Sequence, residues 1–102
     1  MDRQGVAIII RIHIRRRVSE DNQQALMVLI NQMRSAILGN PGYVSGGTFK
    51  RVDQPDEILV VSKWHSHYCW KQWHASRERA ALQADIDQLL GAPTQFEIYE
   101  FE

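Results

Sequence analysis

"VAIIIRIHI", Val6 to Ile14, decides the start of the fold. The run is dominated by β-branched residues and is short for a helix, so a strand is expected. Side chains alternate along a strand, which sends Ile8, Ile10, Ile12 and Ile14 to one side and Ala7, Ile9, Arg11 and His13 to the other. Neither side is simply polar, and that ambiguity drives the rest of the reading.

Downstream, Ser19-Glu20-Asp21-Asn22 offers a helix cap and early negative charge, and Leu26, Leu29, Ile30, Met33 and Ile37 follow at the helical period. Gly39-Asn40-Pro41-Gly42 should stop that helix, with a residue able to take left-handed dihedrals and a proline that cannot continue. A second strand is expected from Tyr43 to about Val52, with a bulge or close backbone approach at Gly46-Gly47. Asp53-Gln54-Pro55-Asp56 reads as the turn into a third strand, Ile58 to Trp64, closing a hairpin. From Ser66 the period is helical again, with a break near Ser76 and an end at Gly91-Ala92-Pro93. "TQFEIYEF" supplies a fourth strand. The order β-α-β-β-α-β is the ferredoxin-like α+β arrangement, in which two helices cover one face of a four-stranded antiparallel sheet. Without repeats, linkers or low-complexity segments, residues 1–102 read as a single domain.

Two helices shield only one face. Leaving four isoleucines in water on the other would cost about 2 kcal/mol per residue. The expectation is therefore a homodimer packed sheet to sheet through the isoleucine face. Arg11 and His13 would then face the gap between sheet and helices. An arginine there needs a partner: an acidic residue, the rim, or an anionic ligand such as a phenolate. His13 beside it would tend to stay neutral, available as a base.

The stretch "WHSHYCWKQWHASRER", residues 64–79, holds all three tryptophans. Ser66 is a plausible N-cap, and Cys69, Trp70, Trp73, Arg77, Ala80 and Ala84 share one third of the helix circumference, an inward face. Core packing explains at least one of Trp70 and Trp73; their bulk beside small residues also leaves room for a pocket. No native metal site is expected, because His65, His67 and His74 have no carboxylate or thiol at ligand spacing. No nucleophile triad and no glycine-rich phosphate loop is present. Twelve basic and twelve acidic residues cancel, which argues against nucleic acid and anionic membranes as partners. Arg15-Arg16-Arg17 reads as a solvated strand end. The lone Cys69 fits a reducing cytoplasm, and the N-terminus is too short and too β-branched for a signal peptide or a span.

From Val44 on, the stretch "VSGGTFKRVDQPDEILVVSKWHSHYCWKQWHASRERAALQADIDQLLGAPTQFEIYEF" resembles the antibiotic biosynthesis monooxygenase domain family: a strand ending in Ser-x-Trp-x-Ser, a helix with Trp-x-x-Trp, and a closing strand after a Pro-Thr turn. The likeness extends over nearly the whole chain. It implies a dimeric α+β barrel and, in some members, oxidation of aromatic polyketides without metal or flavin. Such chemistry requires the substrate to reduce dioxygen itself, as an ionised phenol or quinol. It needs an apolar slot, a base and a group to hold the phenolate. Trp70 and Trp73, His13 and Arg11 would fill those roles without a cofactor, with Tyr43 or Trp64 as walls. In the family's haem-degrading branch the helix tryptophan matches Trp73, but the axial-histidine position falls on Gln83 and the first-strand asparagine on Arg11, so that activity is not expected. The resemblance thus implies a cytoplasmic monooxygenase acting on a small aromatic or quinol; the alternative is a ligand-binding or assembly module that has kept the barrel and lost the chemistry.

Overall fold

The computed structural model describes residues 8–100, so Val6, Ala7 and Phe101 of the expected end strands lie outside the described residues. The elements are β1 (Ile10–Arg17), α1 (Glu20–Ile37), β2 (Tyr43–Lys50), β3 (Glu57–Trp64), α2 (His67–His74), α3 (Arg77–Leu90) and β4 (Glu97–Glu100). The sheet runs β2-β3-β1-β4 and every pairing is antiparallel, giving the expected ferredoxin-like topology. No helix among the described residues is long and apolar enough to cross a membrane.

The isoleucine face is the covered one, opposite to the sequence expectation. Ile10 and Ile12 are 2% and 1% exposed and form a core with Ile37, Trp64, Trp70 and Trp73, while Ile14 packs against it. A second cluster under α1 and α3 joins Val18, Leu26, Ile30, Ile58 and Ile86. The reason lies in the strand's true extent. β1 starts at Ile10 and runs on through the arginine triplet, so the inward set is Ile10, Ile12, Ile14 and Arg16, continued by buried Val18. Arg11, His13, Arg15 and Arg17 make up the outward set. Extended this far, the alternation is clear: one side is apolar but for a single arginine, the other charged. Arg11 and His13 therefore lie on the open face of the sheet, beside Lys63 and Val61 of β3 and Tyr99 and Glu97 of β4.

Helix ends follow local chemistry. Ser66 Oγ accepts from Cys69 N at 3.2 Å and Ser76 Oγ from Arg79 N at 3.2 Å, so each serine starts its own helix. That second start resets the helical phase: Trp70 and Trp73 face inward as expected, but α3 buries Gln83 and Ile86 and leaves Arg77, Ala80 and Ala84 exposed. The expected left-handed stop after α1 does not occur; among the described residues Gly91, closing α3 at φ 69°, is the one glycine in that region. The bulge in β2 falls between Tyr43 and Ser45, earlier than Gly46-Gly47. Gly46 instead serves a close approach, since a Cβ there would meet the Tyr43 hydroxyl at 2.6 Å.

Candidate active site

A cavity of about 70 Å³ lies between the sheet and helices α1 and α3. Ile14, Val60 and Ser62 line its sheet side, Ile30, Met33, Ile37, Gln83 and Ile86 its helix side, with Arg16, Arg34 and Tyr43 completing the wall. Each position follows from local periodicity. Ile14 and Val60 are cross-strand partners on the inward face, and Ile30, Met33, Arg34 and Ile37 recur at the three- and four-residue spacing that keeps one side of a helix together.

Arg16 is the chemical centre of this cavity. Its side chain enters from the inward face of β1 and the residue is 8% exposed. Nη2 donates to Thr94 Oγ1 at 3.0 Å, while Nε is buried without a hydrogen-bond partner among the described residues. Burial pulls its guanidinium below the usual arginine range, and Asp87 opposes that shift. A network holds this arrangement in place. Thr94 Oγ1 donates to Asp87 Oδ1 at 2.7 Å and accepts from Arg16 and from Gln83 Nε2, so its hydroxyl capacity is fully used. Gln83 Nε2 also donates to Asp87 Oδ1 at 2.9 Å, its Oε1 accepts from Arg79 Nη1 at 3.2 Å, and Arg79 Nε donates to the His74 carbonyl at 2.7 Å. Gln83, at the position of the haem branch's axial histidine, thus has both ends of its amide committed and offers no imidazole.

Of the residues expected to form the site, Tyr43 alone lines the cavity. Trp64 is fully buried, edge-on to Tyr43 at 5.6 Å and stacked on Trp73 at 6.5 Å, and its Nε1 donates to Ser62 Oγ at 3.0 Å. Trp70 packs against Phe96 at 5.9 Å, with His67 and His74 rings at 5.8 and 4.8 Å. The tryptophans adjoin the cavity as core. Arg11 and His13 are on the other side of the sheet, a correction to the expectation that they face the helices. His13 sits 4.9 Å from the Tyr99 ring with both ring nitrogens buried and unpartnered among the described residues. Burial, then the charges of Arg11 and Arg15, lower its pKa, with Glu97 opposing.

Sequence reasoning missed Arg16, Arg34, Ser62 and Gln83. The signal for Arg16 was present, because it continues the isoleucine parity by one step. Arg34 lies four residues beyond Ile30 on the same helix face.

The family model for antibiotic biosynthesis monooxygenase matches residues 9–85. This chain belongs to the antibiotic biosynthesis monooxygenase family. The match takes in every cavity residue except Ile86. No curated protein sequence matches significantly, so solved structures carry the remaining comparison. A conserved protein of Methanosarcina mazei Go1 superposes with a TM-score of 0.86 at 18% identity, covering 95% of this chain and 96% of that one. A monooxygenase of this family proposed for Caulobacter crescentus CB15 gives 0.83 at 10% identity, covering 95% and 92%. SnoaB, a cofactor-independent oxygenase from Streptomyces nogalater, gives 0.75 at 12% identity, covering 92% and 91%. At these identities the likeness establishes the fold that this antibiotic biosynthesis monooxygenase family member shares with them, and its chemistry has to be argued from its own residues.

Proposed function

We propose that this chain is a cofactor-independent monooxygenase that oxidises a small aromatic or quinol with dioxygen in the cavity beside Arg16. The observation that carries the reading is the guanidinium residue Arg16, buried and with its Nε lacking a hydrogen-bond partner among the described residues, in the wall of an otherwise largely apolar cavity whose lining includes no carboxylate among the described residues. A phenol placed there ionises more readily, because a guanidinium N–H donated to its oxygen favours the anion. Its proton leaves to solvent. The electron-rich phenolate supplies all the electrons that reduce dioxygen: one oxygen atom bonds to ring carbon and the other departs as water, leaving a quinone product. SnoaB performs oxygenation without a cofactor on the same fold, which supports the reading.

Oxygen uptake tests it. A panel of hydroquinones and anthrones should include a substrate consumed with one dioxygen per product, by protein whose absorption spectrum shows neither haem nor flavin. Turnover that depends on added flavin or metal, or no turnover across the panel, counts against it. A second reading, a cytoplasmic ligand-binding or assembly module, draws on size: the cavity's 70 Å³ is half of the about 150 Å³ that accommodates one benzene ring. Thermal stabilisation by an aromatic ligand without oxygen consumption is the outcome that selects it.

The working unit in this proposal is a homodimer formed through the open face of the sheet. Ile9 and Tyr99 are exposed there at 42% and 45%, Leu59 and Val61 are half-buried, and the unpartnered His13 nitrogens lie among them. Light scattering at micromolar concentration should return twice the chain mass, reduced by a charge such as Val61→Asp; a monomer at that concentration overturns this part.

A further inference from the structure

Two guanidiniums, Arg16 and Arg34, line the cavity, and they are not equivalent. Arg16 has Asp87 nearby, bridged to it by the Thr94 hydroxyl, so its charge is largely answered from within. Arg34 is answered by a neutral group: its Nη2 donates to Thr48 Oγ1 at 2.9 Å, and no carboxylate of the described residues forms an ion pair with it. The bond also ties α1 to the edge strand β2. A part-buried cation whose partner is a hydroxyl gains by exchange for a carboxylate, since charge-assisted hydrogen bonds are roughly twice as strong as neutral ones.

Resting on the reading of this cavity as the substrate site, we infer that the substrate is a single-ring hydroxylated aromatic carboxylate, its phenol oxygen at Arg16 Nε and its carboxylate on Arg34 in place of Thr48. Three features meet in this assignment. The unbalanced charge asks for one anionic group, the apolar walls of Ile14, Met33 and Ile37 ask for a ring, and the small volume favours one ring over fused rings. Release of Arg34 from Thr48 loosens the tie between α1 and β2, giving the ring the space that the unliganded cavity lacks.

Titration calorimetry on the full chain separates the alternatives, with 2,5-dihydroxybenzoate, its methyl ester and hydroquinone as probes. The acid should bind about tenfold or more tightly than either neutral compound. Arg34→Met should abolish that preference, and Arg34→Lys should restore part of it, which a purely structural role for Arg34 would not do. Equal affinity for acid and ester, a preference that survives in Arg34→Met, or no binding of any probe overturns the assignment. Preferential binding of the acid without oxygen uptake leaves it standing and removes the oxygenase reading; equal turnover of acid and ester does the reverse.

Discussion

Trp64→Ala should cost about 3–5 kcal/mol of stability, the usual range for deleting a large buried aromatic. Trp64 is fully buried at the end of β3, between the Tyr43 edge and the Trp73 ring and opposite Ile10 on the neighbouring strand. Truncation removes contacts on every side and leaves the Ser62 hydroxyl without its indole donor. Surrounding side chains belong to three different elements, so the space collapses only in part. Set against the 5–15 kcal/mol that typically holds a domain together, the loss should leave the variant marginal at 37 °C. Urea melts measure it directly. A change below about 1 kcal/mol would show that Trp64 is not the centre of the core and would restore its expected place as a pocket wall.

Arg16→Met should lower turnover of any oxidised aromatic by about 100-fold to 1000-fold, the scale of losing one preorganised stabiliser of developing negative charge. Stability should change far less than activity. Methionine fills the volume of the arginine stem, replacing a buried charge by an apolar group is often neutral or favourable, and Asp87 keeps its bonds from Gln83 and Thr94. The double change Arg16→Met with Asp87→Asn removes both charges and controls for an unbalanced carboxylate. If the double variant folds normally and is inactive, the guanidinium acts on the ligand. Full activity in either variant, with the fold intact, removes Arg16 from the site.

The elements themselves were legible because each carries its own local signal: β-branched runs for β1 and β3, a helical period for α1, and the serines at 66 and 76 for the two helix starts. Which face of β1 meets the helices was not. A strand taken to stop at Ile14 shows apolar residues on both sides, and only the continuation through Arg15, Arg16 and Arg17 makes the two sides distinct. Reading those arginines as a solvated end hid the buried one among them. The same error carried Arg11 and His13 to the wrong side of the sheet and displaced the site. Beyond Ser76 the inward stripe was lost for a related reason: a new N-cap restarts the helical phase, so positions counted from Trp70 do not predict what α3 buries. The cavity itself is a property of tertiary packing. It exists because side chains from β1, α1, β2, β3 and α3 meet without filling the space, which no single segment's pattern encodes.

The location of the site on the helix-covered side of the sheet is tested most directly by amide chemical-shift mapping of the labelled protein during titration with a bound hydroxylated aromatic. The expected shifts cluster at Met33, Arg34, Ser62 and Gln83, around the Arg16 cavity. Shifts confined to His13, Lys63 and Tyr99, on the open face, would contradict the assignment and return the chemistry to the opposite side of the strand.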